Sequence, residues 1–421
     1  MQSDTLFSKD FLLVAIGRII SAFGNQILRY ALPLYLLLHT GSSALFGSVM
    51  AVSFVPMLLL FPIGGILADR LNKRNIMLAM DLCTGILIAL FCLLSKRVPA
   101  VPLMAVTLII LYGLDGADRP AVKASIPALV GGKDIMKANS VIDMVDSTAG
   151  MAGPVMGGLL FAAFGLMPVL YVSIACFFAS VVLDAFIRIP FEKKPAGENA
   201  FATGMGDLKE SFAFMVKRQP ALWKISLLFA ASNLLLTALV LIGLPVLITQ
   251  RLGFAPDTAN RLYGYAQGVS AVGAILGGFL AGALSGKLKP GSGPRLLIGC
   301  SLAVVMIGAA LHLLHVSITI YVLLMVGCGL LLTLHTLFQI QMMTYLQILT
   351  PDDFVGKVIS CFMCVAMCTI PVGQVIYGFA FEHMQNIHLL FYAAGLAMIG
   401  ISLSARRVFR GVERLIHESK R

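Results

Sequence analysis

Long apolar stretches alternate with short polar connections along almost the whole chain of 421 residues. A helix that crosses the hydrocarbon core of a bilayer needs about 20 mostly apolar residues. Twelve stretches reach that length: 11–38, 44–67, 76–95, 100–121, 139–164, 168–188, 222–249, 262–284, 295–314, 316–347, 356–381 and 387–405. Several connections, such as 39–43, hold only a few residues, as in helical hairpins. The pattern therefore predicts an all-α membrane protein with twelve transmembrane helices.

Composition supports the membrane assignment. Hydrophobic residues make up 59% of the chain and charged residues 12%, with a mean hydropathy of +0.93. A soluble domain carries about 25% charged residues, so this chain has too little polar surface for water, and we expect a lipid bilayer to cover it. The formal charge is +11, but nucleic-acid binding needs basic residues gathered on one exposed face. Here they lie in short connections, so we expect no nucleic-acid partner.

The distribution of Lys and Arg predicts the orientation, because positive charge collects in cytoplasmic loops. Two basic residues lie inside the first segment and four lie in connections on one side: Arg18 and Arg29, and Lys96, Arg97, Arg251 and Arg261. All the others lie on the opposite side, together with both termini. The polar stretch 1–10 lacks the apolar core of a signal peptide, so we expect the first segment to remain as a helix. We predict a multi-pass protein of the inner or plasma membrane with both termini cytoplasmic.

The longest connection separates six segments from six. It predicts an N-terminal six-helix bundle, 1–189, a cytoplasmic linker, 190–221, and a C-terminal six-helix bundle, 222–421. A regulatory role for the linker is the alternative. The similar stretches GGILA at 64–68 and GGFLA at 277–281 occupy equivalent places in the two halves. Two halves related by duplication are common in transporters, with the substrate path between them.

Residues 65–74, GILADRLNKR, follow the second segment. They resemble the G-x-L-a-D-r-x-G-r-k signature of the major facilitator superfamily, with Asn72 in place of the usual second glycine. Because Asn tolerates the left-handed conformation, we expect Asn72 to form such a turn. The resemblance implies a conformational latch that joins the two halves on the cytoplasmic side. Its predicted residues are Gly65, Asp69, Arg70, Lys73 and Arg74.

Residues 150–158, GMAGPVMGG, form a second motif. They resemble the G-P-x-x-G-G element of the superfamily's antiporters, which implies export. The motif residues are Gly153, Pro154, Gly157 and Gly158. Small residues also let helices pack closely and Pro bends a helix, so packing is part of the same interpretation. Residues 119–130, followed by 138–140, resemble the connection between spans four and five in the macrolide-efflux branch of drug:proton antiporters.

Ionisable residues inside a bilayer cost about 2.5–3.5 kcal/mol each on insertion scales, so each suggests a function. A charge cluster is predicted in the cytoplasmic part of the first half. Its members are Arg18, Asp115, Asp118, Arg119, Asp143 and Asp146. Two interpretations stay open: the charges neutralise one another and hold three spans together, or one aspartate takes up the driving proton. Asp81 and Asp184 lie near the ends of their segments, so we expect structural roles for both.

Polar residues further along the spans predict a substrate cavity: Asn25, Gln26, Arg29, Asn233, His335 and Gln339. Arg29 either contacts an anionic or carbonyl-bearing substrate or pairs with a carboxylate. Many relatives carry an acid at the position of Asn25, so its role as a proton carrier is in doubt. The cysteines at 361, 364 and 368 suit Cu(I), but Cys is also common apolar filler. We expect no metal and no cofactor.

Together these features predict a secondary transporter. We expect a monomer that exports amphipathic small molecules, such as macrolide-like drugs, by proton antiport and alternating access. Alternative cargoes are a siderophore, a lysophospholipid or a metal ion. A membrane-embedded enzyme or a receptor is a further alternative, but the chain has no HExxH or GxSxG motif and no sizeable polar domain.

Overall fold

The computed structural model describes residues 8–130, 135–187, 189, 210, 212–284, 292–350 and 355–419, without the side chains of 61–70, 128, 136, 355–357, 360 and 412–419. Within these residues, twelve helices are long and apolar enough to cross a membrane. They are α1 Lys9–Thr40, α2 Ser43–Arg70, α3 Lys73–Leu94, α4 Ala100–Leu129, α5 Ile135–Phe164, α6 Leu166–Phe186, α7 Pro220–Arg251, α8 Pro256–Ala283, α9 Gly293–Leu313, α10 Ser317–Leu349, α11 Val355–His383 and α12 His388–Ser419. The predicted all-α fold with twelve membrane helices is confirmed.

Two helices run well past their predicted ends. The segment predicted at 100–121 belongs to α4, which continues to Leu129, and the last segment belongs to α12, which continues from 405 to Ser419. Hydropathy marks only the part of a helix that lies in hydrocarbon, whereas a helix can continue into polar surroundings. Residues 119–129, which the resemblance assigned to a connection, are therefore helical, with Pro120 and Pro127 inside α4.

The turn between α2 and α3 differs from the prediction. Asn72 has φ −64° and ψ 117°, and its side-chain oxygen accepts a hydrogen bond from the Arg74 N–H at 3.1 Å. It is thus the N-cap of α3, a position that Asn favours because its side chain satisfies a free helix N–H. The expected left-handed conformation was wrong. Positive φ occurs at Gly41, Gly165 and Gly253 among the described residues.

Helix α7 contains two π-helical turns, Asn233–Thr237 and Leu247–Arg251. A third π-helical turn, Phe214–Arg218, precedes α7. Such turns insert one residue into the helical hydrogen-bond pattern and occur often at functional sites. Hydropathy carries no signal for them, since one extra residue leaves the apolar stretch unbroken.

Contacts divide the chain into two compact units. Unit 1 comprises Met1–Gly41, Val49–Phe201 and Ala255–Gly268, and unit 2 comprises Ser42–Ser48, Ala202–Phe254 and Val269–Arg421. The start of α2 therefore groups with unit 2, and the start of α8 with unit 1. The division at 190–221 stays a prediction, because most of that stretch lies outside the described residues.

Each unit has a buried apolar interior. In unit 1, Phe11 and Val14 of α1 pack with Met77 of α3 and with Val122 and Ile126 of α4. The largest buried side chains of unit 2 are Phe338, Phe362, Phe381, Phe391 and Phe409. Other large apolar side chains face outward, including Leu59, Leu93, Phe164 and Phe279. Exposed apolar side chains on helices of this length are what a surrounding bilayer requires.

Gly116 shows how tightly the helices of unit 1 approach. A Cβ atom on Gly116 of α4 would lie 2.6 Å from the carbonyl oxygen of Met57 in α2. We expect Gly116→Val to lower the melting temperature of the purified protein, because overpacking costs about 1–3 kcal/mol. Gly400→Ala is the control, since nothing lies within 4 Å of a Cβ there. Thermal unfolding in one detergent compares them; equal melting temperatures would contradict the packing.

Candidate functional site

Arg18 of α1 lies at the centre of a buried charge cluster in unit 1. Its Nη1 donates to Asp118 Oδ2 of α4 at 2.7 Å. Its Nε and Nη2 donate to the two carboxylate oxygens of Asp146 in α5 at 2.8 and 3.2 Å. A forked pairing of this kind fixes direction as well as distance. One guanidinium therefore joins three helices.

Asp115 forms a second centre one turn away on α4. Its side chain is 4% exposed and accepts hydrogen bonds from Arg29 at 2.6 Å, Arg119 at 3.0 Å and Asn25 at 3.3 Å. The Arg29 guanidinium also lies 4.0 Å from the ring centre of Tyr112, a favourable cation–π contact. Arg29 is thus paired with a carboxylate, one of the two roles considered for it.

Asp143 lies apart from this cluster. It pairs with Lys123 at 3.1 Å, and both side chains are 58% exposed. Exposed pairs contribute about 0–1 kcal/mol. The other five predicted members of the cluster share the ion pairs around Arg18 and Asp115.

Asp81 of α3 and Asp184 of α6 are 8% and 2% exposed. The sequence analysis gave them structural roles near helix ends and left them out of the cluster. Asp81 belongs next to it, since a cavity of about 10 Å³ is lined by Asp81 together with Arg18, Ser21, Asn25, Thr84, Asp115 and Asp118. The sequence did hold a signal that Asp81 faces the helix bundle: Met77 and Gly85, one helical turn before and after it, lie on the same face of α3.

The glycines of the antiporter motif form the contact surface of α5. A Cβ on Gly153 would lie 2.5 Å from the Gln26 Cβ, and one on Gly157 would lie 3.2 Å from the Tyr30 ring. A Cβ on Gly158 would lie 2.9 Å from Gly264 of α8. Pro154 belongs to the same contact: its carbonyl oxygen would lie 3.3 Å from a Cβ on Gly264. The motif thus lets α5 pack closely against α1 and the start of α8.

Tyr30 strengthens this contact. Its hydroxyl donates to the Asn260 carbonyl oxygen at 2.7 Å, and its ring stacks on Tyr263 with centroids 4.9 Å apart. Both partners belong to α8 and to unit 1. Gln26, predicted to line the substrate cavity, lies on the same face of α1, against α5.

The residues of the predicted latch are described only in part. Gly65, Asp69 and Arg70 lie in α2, and their side chains are outside the described set. Lys73 begins α3. The Arg74 guanidinium donates to the main-chain oxygens of Asp184, at 3.0 Å, and Ala185 at the end of α6. A cation at a helix C-terminus satisfies free carbonyl groups; the latch role stays a prediction.

In unit 2, two of the predicted cavity residues bond within the protein. Asn233 donates to the Ala366 carbonyl oxygen at 3.0 Å, and a His335 ring nitrogen lies 3.2 Å from the Ser232 hydroxyl. Both side chains are buried. Gln339 is half-buried on α10. Within the described chain, no group of three or more His, Cys, Asp or Glu is placed to hold a metal ion.

The helices and motifs agree with a comparison against protein families. The family described as Major Facilitator Superfamily matches residues 14–373. The chain belongs to the Major Facilitator Superfamily. It is therefore a multi-pass transporter and not an enzyme, as predicted, and superfamily members carry small molecules.

Curated relatives of this superfamily member include efflux proteins. The uncharacterised MFS-type transporter YfiS of Bacillus subtilis is 24% identical over 420 residues, 98% of this chain and 97% of YfiS. The multidrug efflux pump Tap of Mycolicibacterium fortuitum is 28% identical over 185 residues, 42% of this chain and 45% of Tap. Macrolide efflux protein A of Streptococcus pyogenes is 22% identical over 181 residues, 43% of this chain and 45% of that protein. The chain thus spans less than half the length of the two efflux relatives.

A solved structure supports the fold. The crystal structure of the nucleoside transporter NupG superimposes with a TM-score of 0.73 at 14% identity, covering 96% of this chain and 99% of NupG. At this identity the likeness shows the architecture alone.

The macrolide-efflux resemblance found in the sequence is confirmed by the efflux relatives.

Arg18 gives a stability prediction for this transporter. Arg18→Ala would leave Asp118 buried without its cation, so we expect a loss of about 3–5 kcal/mol in unfolding free energy. Lys123→Ala is the matched control and should cost about 0–1 kcal/mol, because its pair is exposed. Denaturant unfolding of both variants in detergent measures the difference. Similar losses for the two would refute the central role of Arg18, and adding Asp118→Asn to Arg18→Ala should restore part of the loss.

Proposed function

We propose that this superfamily member exports amphipathic small molecules of the drug or macrolide type in exchange for protons, by alternating access. The observation that carries the proposal is the buried charge cluster of unit 1. Its Asp115, Asp118 and Asp146 pair with Arg18, Arg29 and Arg119, and the buried Asp81 beside it has no basic nitrogen within 4.0 Å among the described residues. A buried carboxylate without a basic partner favours uptake of a proton, because an unpaired buried charge is costly.

Two further features support export. The glycine and proline residues of α5 match the antiporter element, and they place α5 against α1 beside the charge cluster. The relatives Tap and macrolide efflux protein A are named for the efflux of drugs and of macrolides. In this chain, the side chains of Asn233 and His335 form hydrogen bonds with other protein groups. This favours a cargo that is held largely by apolar contacts.

We further propose a monomer in the cytoplasmic membrane with both termini in the cytoplasm. The support is the strong bias of Lys and Arg toward one side of the spans. Lys96 and Lys217 allow a test, because both are exposed and lie on opposite predicted sides. In intact cells, an impermeant maleimide should label Lys96→Cys and should label Lys217→Cys only after permeabilisation. The reverse labelling would overturn the orientation.

Transport in proteoliposomes tests the main proposal. We expect an imposed pH gradient to drive movement of erythromycin or ethidium, with opposite proton movement reported by an internal pH dye. A protonophore should abolish the substrate movement, since it removes the gradient. Protein-free liposomes are the control for leakage of amphipathic compounds.

The alternative cargoes are tested in the same proteoliposome assay, as one panel of compounds. We test a catecholate siderophore, a lysophospholipid and a divalent metal ion under the same pH gradient. Movement of one of these without movement of the drugs would replace the proposed substrate class but keep the antiport. Substrate movement that carries no protons would refute the antiport.

A further inference from the structure

Two buried carboxylates stand outside the ion pairs of unit 1. Among the described residues, no basic nitrogen lies within 4.0 Å of Asp81 or Asp184. By contrast, Asp115, Asp118 and Asp146 each have an arginine at 3.0 Å or less. An ionised carboxylate buried without a cation is unfavourable and is relieved when it binds a proton. The unpaired acids are therefore the ones with a reason to bind protons.

Ser180 of α6 connects Asp81 to α1. Its hydroxyl donates to the Gly17 carbonyl oxygen at 3.2 Å, and the Asp81 carboxyl lies near the same hydroxyl. A hydroxyl has one proton to donate. While Ser180 donates to Gly17, it has no proton to offer an ionised Asp81. An ionised Asp81 competes with Gly17 for that proton, since a charged acceptor forms the stronger hydrogen bond.

Asp184 lies beside the same point of α1. A Cβ on Gly17 would lie 3.4 Å from Asp184 Oδ1 and 3.5 Å from Ser180 Oγ. The nearby Arg74 donates to main-chain oxygens at the end of α6. The Asp184 carboxylate thus lies near the Arg74 guanidinium, but the hydrogen bonds of that guanidinium go to main-chain carbonyl groups. Gly17 leaves the space in which both side chains of α6 reach α1.

The small cavity is lined both by Asp81 and by members of the ion-paired cluster. At about 10 Å³ it has room for about one water molecule. The Asn25 Oδ1 atom is buried and accepts no hydrogen bond from the described residues, and Asn25 lines this cavity. An acceptor of this kind needs a donor, which a water or a protonated carboxyl supplies. The charged groups around Asp81 are Arg18 from α1, Asp115 and Asp118 from α4, and Asp184 from α6.

We propose that Asp81 and Asp184 bind the exchanged proton, while the arginine-paired aspartates hold α1, α4 and α5 together. The inference rests on the proposed antiport. The proton enters as an O–H bond on a carboxylate and leaves to water, with no other bond changed. Bound, it removes this competition and keeps the Ser180–Gly17 hydrogen bond between α6 and α1. Released, it leaves two carboxylates that repel each other and withdraws the Ser180 bond from α1.

Infrared difference spectroscopy on the full-length protein tests proton binding without any substrate. Protein with ¹³C-labelled aspartate, reconstituted in liposomes, is titrated and the carbonyl band of protonated aspartic acid is followed. We expect wild type to show the band, each of Asp81→Asn and Asp184→Asn to weaken it, and the double variant to lose it. Asp257→Asn, an exposed position on α8, is the matched control and should keep the band. A band that persists in the double variant, or is absent in wild type, overturns the assignment.

Ser180→Ala probes the positioning role of the hydroxyl. We expect the aspartic acid band to remain but to shift to higher frequency, because the carboxyl loses its hydrogen-bond partner. Ser180→Thr, which keeps a hydroxyl, should restore the wild-type position. An unshifted band in Ser180→Ala refutes the Asp81–Ser180 link and leaves Asp81 without its contact to α1.

Transport separates this inference from the proposed function. With ethidium as probe, Asp81→Asn and Asp184→Asn should lose accumulation driven by the pH gradient but keep counterflow, which needs no net proton movement. Full gradient-driven accumulation in both variants overturns the inference while the antiport stands. If wild type shows no gradient-driven movement of any compound in the panel but its band still depends on Asp81 and Asp184, the proposed function fails and the proton site remains.

Discussion

The forked pairing of Arg18 with Asp118 and Asp146 is the interaction on which unit 1 depends. A guanidinium in the middle of a helix bundle is tolerated only when its donors are satisfied. Arg18 meets this condition by drawing on α4 and α5 at once. Since each bond has a direction, the pairing fixes the rotation of α1 as well as its distance from two neighbours. The glycine contacts of α5 are made with the same helix, α1.

Helix packing in a bilayer has to do without the hydrophobic effect between helices, because lipid chains are as apolar as leucine. Unit 1 uses two substitutes. Close backbone approach occurs at Gly153 and Gly157 against α1 and at Gly116 against α2, and the Arg18–Asp146 ion pair also joins α1 to α5. The two are complementary, since charge pairs set direction while glycines allow the distance. A large side chain at Gly153 or Gly157 and the loss of Arg18 would therefore disturb the same contact between α1 and α5.

Much of this fold could be predicted from the sequence because hydropathy reports directly on burial in lipid. The twelve spans followed from that signal, and the arginine–aspartate cluster followed from the cost of charge inside a span. Helix ends in polar surroundings did not follow, as α4 and α12 show, because a continuing helix changes no apolar count. Asn72 was predicted as a left-handed residue by analogy with glycine, yet its capping of α3 satisfied a stronger local demand.

Asp81 and Asp184 were the harder case, and the reason is physical. Depth along a span can be read from the sequence, but the partners of a carboxylate depend on which helices surround it. Asp115 and Asp81 both lie in apolar stretches of the sequence, yet Asp115 receives three donors, whereas the Ser180 hydroxyl near Asp81 donates to α1. An acid held by two arginines gives up much electrostatic energy when it binds a proton, whereas an unpaired buried acid gains by doing so. The number of donors around each carboxylate thus separates acids that hold the bundle together from acids able to exchange protons.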